Sequence, residues 1–141
     1  MKPKRVDAFV ISVGNLTTGG VGKTPVVAEL ARYFLEKGER VAIISRGYGG
    51  KLNNKKVNVI SDGINLFYKA DMAGDEPYWL AVNLNMCAVL TCADRIKAAE
   101  YAIKELGVTK IILDDGFQHR KMARDLDIVL IAVSKEEQDK F

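Results

Sequence analysis

Two cysteines, one histidine and one tryptophan are all this 141-residue chain contains of those types. Cys87 and Cys92 stand five positions apart, which is neither a disulfide framework nor a zinc-ligand spacing. Both lie in an apolar stretch and read as buried free thiols of a reducing compartment. Only three prolines are present, so extended proline-rich or low-complexity structure is excluded. Neither charge sign dominates: 21 Lys and Arg face 18 Asp and Glu, and a net charge of +3 gives no electrostatic footprint for nucleic acid. Apolar runs stay short, the longest being Ala8 to Ile11 and Ile128 to Val133, far below the roughly 18–20 residues that span a bilayer. The basic start, Met1 to Arg5, is followed by no cleavage pattern, so no anchor or export signal is read.

What remains is an ordinary globular composition, 48% hydrophobic and 28% charged. A chain of this size buries roughly 68–70% of its unfolded surface, enough for one domain with a real core. Ala8 to Val13, Arg40 to Ser45, Cys87 to Leu90, Lys110 to Leu113 and Asp127 to Val133 are near-continuous apolar segments of strand length. Val57 to Ser61 is a further short strand, with a turn at Asp62-Gly63. Between them, helical spacing runs from about Lys23 to Lys37, with Pro25 in the first turn and Gly38 at the end. Pro77 to about Asn83 and Ala93 to Leu106 are also helical, Gly107 ending the latter. Alternating strands and helices predict an α/β fold, a parallel sheet flanked by helices, over residues 1–141 as one domain. The polar tail from Ser134 to Phe141 leaves the last strand without a covering helix, so the sheet is expected to be incomplete at that end.

The strongest chemical signal is Thr17-Thr18-Gly19-Gly20-Val21-Gly22-Lys23-Thr24, set between the first strand and the first helix. A phosphate-binding loop needs small residues so that successive backbone N–H groups turn toward phosphate oxygens. Lys23 would then reach the outer phosphates and the Thr24 hydroxyl a Mg²⁺ ion, with the helix N-terminus behind them. Thr17 stands where the usual pattern has glycine, so this is a variant P-loop. Asp114 and Asp115 end an apolar strand, as carboxylates that hold a Mg²⁺ hydration shell do. Gly74-Asp75-Glu76-Pro77 opens a helix. Asp75 suits an N-cap and, compatibly, a base near an acceptor hydroxyl. Arg46, Lys51 and Arg95 are possible phosphate contacts or ordinary surface charges, His119 is a lone histidine, and Tyr48 between two glycines either stacks on a sugar or anchors its loop.

Together, Val13 to Pro25, Ser45-Arg46-Gly47-Tyr48-Gly49, Gly74 to Pro77, Asp94-Arg95 and Asp114-Asp115-Gly116-Phe117-Gln118-His119 resemble the tetraacyldisaccharide 4'-kinase family. The resemblance implies a P-loop kinase core that transfers the γ-phosphate of ATP to the 4'-hydroxyl of the acylated disaccharide precursor of lipid A. It implies ATP at Thr17 to Thr24 and Mg²⁺ at Thr24, Asp114 and Asp115. Asp75 would be the catalytic aspartate, Arg95 and Lys23 would lie at the transferring phosphate, and Tyr48 in a substrate-binding segment. It implies the cytoplasmic side of the bacterial inner membrane, although the family's apolar N-terminal helix has no counterpart here. The family's C-terminal half, with the histidine that partners the aspartate, also has none. A nucleotide-binding half completed by a second polypeptide is therefore the alternative expectation, with a cytoplasmic location. A partition-type P-loop ATPase is less well matched, because Thr18 replaces that class's signature lysine.

Overall fold

The computed structural model describes residues 2–16, 22–115 and 121–131. Six strands and four helices follow in the order β1 (Phe9–Asn15), α1 (Lys23–Glu36), β2 (Val41–Ser45), β3 (Asn58–Asp62), α2 (Ala70–Ala73), α3 (Asp75–Asn83), β4 (Ala88–Thr91), α4 (Arg95–Leu106), β5 (Lys110–Leu113) and β6 (Leu126–Leu130). They build one sheet in the order β3-β4-β2-β5-β1-β6.

The strands of the sheet interior are apolar on both faces because each face is covered. Along β2, Ala42 and Ile44 enter one cluster with Ala98, Ala99 and Ala102 of α4, while Val41 and Ile43 enter the other with Val27, Ala28 and Ala31 of α1 and Leu80 of α3. On β5, Ile111 and Leu113 divide from Ile112 in the same way. The strand period of two thus sends alternate residues to opposite layers.

Every pairing among β1, β2, β4, β5 and β6 is parallel, as the alternating pattern predicts. β3 differs: it lies antiparallel on β4 at the sheet edge. Residues 46–57 contain no helix, so the chain re-enters the sheet from the end where β2 left it. A parallel partner would have needed a crossover. β6, the strand expected to lack a covering helix, lies at the other edge of the sheet, where Ile128 and Leu130 pack inward while Leu126 and Val129 are exposed.

Helix ends follow local chemistry. α1 starts after Gly22, which takes a left-handed φ of 72°, and the chain leaves it through Gly38 at φ 80°. α4 is capped by Asp94, whose carboxylate accepts from the Lys97 N–H at 3.1 Å, a cap worth about 1 kcal/mol. α3 corrects the expectation for Asp75: the N-cap is Gly74, at φ 95° with no side-chain cap, and Asp75 is the first helical residue.

Candidate active site

β5 lies between β1 and β2, and this order assembles the site. Lys23 and Thr24 begin the helix that follows β1, Ser45 ends β2 with Arg46 just after it, and Asp114 and Asp115 leave β5 between them. All stand at the carboxyl ends of parallel strands, where open α/β sheets bind their ligands. Lys23, Arg46, Tyr48, Glu76, Asp114 and Asp115 line one small cleft there, together with Ser45, Gly47 and Pro77. Residues 23, 46 and 114 are far apart in the chain, yet the topology brings them to one place.

Asp114 is almost fully buried. Burial pushes its carboxyl up to about 7; Lys23 opposes that rise, Asp115 and Glu76 add to it, and Arg95 again opposes it. Asp115 is held in an ion pair with Arg95, Nη2 to Oδ2 at 3.3 Å. Apart from that pairing, neither of its buried carboxylate oxygens accepts a hydrogen bond from the described residues. Two acceptor-rich carboxylates beside an ammonium make a donor set suited to Mg²⁺ shared with phosphates, while Thr24, in the first turn of α1, is not among the residues that line the cleft. Among the described residues there is no group of three or more His, Cys, Asp or Glu that could hold a metal by itself.

Asp75 is exposed, one residue before the cleft-lining Glu76. Glu76 is the cleft residue to which the sequence pattern attaches no role, although a second carboxylate in the first turn of α3 was its available sign. Tyr48 is 66% exposed, and the Arg46 guanidinium lies over its ring at 5.4 Å. Arg95 is 1% exposed and is not among the residues that line the cleft. Its Nη1 donates to the Ala93 carbonyl at 2.6 Å. Thr17, Thr18, Gly19, Gly20 and Val21, and His119, lie outside the described residues.

A larger cavity of about 610 Å³ sits beyond the start of β2, bordered by Glu39, Arg40, Asp62 and Met86. Two of its three acidic residues are already engaged. Glu39 accepts from the Thr109 hydroxyl, and Asp62 accepts the N–H groups of Ile64 and Asn65 in its own turn. No helix among the described residues is long and apolar enough to cross a membrane.

An α/β sheet with a lysine-threonine helix start after β1 and paired aspartates after the adjacent strand defines a P-loop-type phosphate-binding protein. The family model for tetraacyldisaccharide-1-P 4'-kinase matches residues 1–140, and the chain belongs to that family. A tetraacyldisaccharide 4'-kinase of Desulfotalea psychrophila is 52% identical over 121 residues, 86% of this chain and 34% of the relative. One of Geobacter metallireducens is 48% identical over 131 residues, 93% of this chain and 38% of the relative. A crystal structure of LpxK from Aquifex aeolicus in complex with ATP superposes with a TM-score of 0.84 at 44% identity, covering 99% of this chain and 42% of that one. The chain thus spans about a third of the length of the curated relatives it matches.

Proposed function

We propose that this chain binds Mg-ATP in the cleft after β1, β2 and β5, and supplies the nucleotide side of phosphoryl transfer to the 4'-hydroxyl of a tetraacylated disaccharide 1-phosphate. The carrying observation is the convergence of Lys23, Asp114 and Asp115 on one cleft. Lys23 places its ammonium against the phosphates, and the glycines of the Thr17 to Thr24 segment suit a backbone that donates to the same oxygens. Thr24, Asp114 and Asp115 would hold the Mg²⁺ ion, which when bound neutralises charge on the phosphoryl oxygens. Asp75, beside Glu76 at the start of α3, would take the proton of the acceptor hydroxyl. Tyr48, on the glycine-flanked loop, offers an exposed ring to a sugar face. By family membership, the reaction would take place on the cytoplasmic side of the inner membrane, where a lipid acceptor would be presented.

Because the chain covers about a third of its relatives, a nucleotide-binding piece that needs a complementary polypeptide for turnover is the second reading. Titration calorimetry with Mg-ATP tests the first step, and absence of saturable heat would sink it. Radiolabelled ATP with detergent-dispersed disaccharide lipid tests the second. Label should transfer little with the chain alone and much more when the carboxyl-terminal portion of a relative is added. In that mixture Asp75→Asn should lower turnover while leaving ATP affinity within a few-fold; loss appearing chiefly as weaker ATP binding refutes the base role.

A further inference from the structure

We infer that Arg95 is a positioning residue that fixes the Asp115 carboxylate on the metal side of the cleft and does not itself meet the transferred phosphate. The inference rests on the reading of Asp115 as a Mg²⁺ carboxylate.

The local backbone turns Arg95 inward. Asp94 caps α4, so Arg95 is its first helical residue, and α4 covers the face of the sheet that holds Ala42, Ile44 and Leu113. From there the guanidinium reaches the end of β5 from beneath the cleft. One nitrogen is spent on the Ala93 carbonyl at 2.6 Å and another on Asp115 at 3.3 Å. Nε has no hydrogen-bond partner among the described residues. A planar guanidinium held at one end by its own backbone is a rigid mount for a carboxylate, which a flexible lysine is not. Asp115 accepts no hydrogen bond from any other described group, so this ion pair is the only contact described for its carboxylate. It leaves the carboxylate acceptor capacity for a cation or that cation's water. An arginine meant for the phosphate would line the cleft, as Lys23 and Arg46 do; Arg95 does not.

The test measures ATP affinity of the 141-residue chain by calorimetry, in excess Mg²⁺ and in EDTA, for Arg95→Lys, Asp115→Asn and the double variant Arg95→Met/Asp115→Asn. Groups that orient a metal ligand typically govern roughly 10- to 100-fold of metal affinity. Arg95→Lys should therefore lose about that much of the Mg²⁺-dependent gain, with affinity in EDTA within twofold of the parent. Asp115→Asn should lose the same gain, and the double variant should be no worse than Asp115→Asn. Removing Arg95 alone strands the Asp115 carboxylate and can unfold the chain, whereas the double variant removes both partners of that buried pair. Comparison of the double variant with Asp115→Asn therefore decides the matter even if Arg95→Lys does not fold. Equal loss with and without Mg²⁺ in Arg95→Lys would mark a phosphate contact and overturn the inference. So would a double variant clearly weaker than Asp115→Asn, or an Arg95→Lys protein that keeps the full gain. If Asp115→Asn itself keeps the gain, the metal role of Asp115 fails and takes this inference with it, an outcome distinct from the other three.

Discussion

Gly74 packs backbone to backbone against Gly50. A Cβ on Gly74 would stand 3.3 Å from the Gly50 nitrogen and 2.9 Å from the Tyr48 carbonyl oxygen. One on Gly50 would fall 2.5 Å from the Met72 carbonyl oxygen. The Lys51 N–H donates to that same oxygen at 2.9 Å. Two loops from different parts of the chain, one carrying Tyr48 and one opening the helix of Asp75 and Glu76, are thus stitched together without side chains. Gly50→Ala should destabilise the chain by about 1–3 kcal/mol through overpacking against backbone that cannot yield. Gly74→Ala should cost at least as much, since φ of 95° adds backbone strain. Urea unfolding checks both, and a parental midpoint for either would mean that the two loops separate freely.

Lys23→Ala should weaken Mg-ATP binding by roughly 10- to 100-fold, since a hydrogen bond to a charged group contributes about 1.5–3 kcal/mol. Calorimetry on the two proteins reads this directly. Equal affinities would remove Lys23 from the phosphate site.

Asp114 makes the nucleotide-free chain pH-sensitive in a known direction. Its carboxyl is raised by burial from 3.8 to about 7 in the folded state, so between those values the folded chain binds a proton that the unfolded chain does not. Stability from this group is full below about pH 4 and is lost as pH rises through 7. Between pH 5 and pH 8 the parent should lose on the order of 2 kcal/mol relative to Asp114→Asn. Denaturant midpoints of both proteins at both pH values measure the difference. A parallel response of the two would show that Asp114 ionises normally.

How far the site could be read from the chain depends on the kind of information each residue carries. β1, β2 and β5 are visible as apolar runs because both faces of the sheet are covered, and a P-loop between a strand and a helix is a local pattern. The direction of β3 is not local. It follows from the missing helix in residues 46–57, and periodicity says nothing about it. Asp75 resembles a cap by residue type, yet Gly74 takes that place because a side chain there would strike the Tyr48 carbonyl. Arg95 shows nothing of its burial in sequence, since its partner Asp115 stands on another element and meets it only through the packing of α4 on the sheet. The four-residue α2 is too short to carry a helical period.

Both thiols should be inert in the native chain. Cys87 and Cys92 are free and fully buried, and burial pushes the Cys87 thiol up to about 12. Only the thiolate reacts readily, so a chromogenic disulfide reagent should register no fast thiol under native conditions and both after denaturation. A rapid native reaction at one equivalent would place one of them at the surface.

The position of β5 also governs when this protein can first hold a ligand during its own synthesis. β1 and β2 share no hydrogen bonds with each other; each pairs with β5, which is made some 65 residues after β2 ends, at Lys110. Until that strand leaves the ribosome, the lysine side and the arginine side of the cleft have no common frame, and the carboxylates do not exist. Closing such distant contacts is the slow part of folding. ATP should therefore protect ribosome-bound chains from protease only once residues through Asp115 have emerged, and protection of shorter nascent chains would show that the lysine side folds without its neighbour.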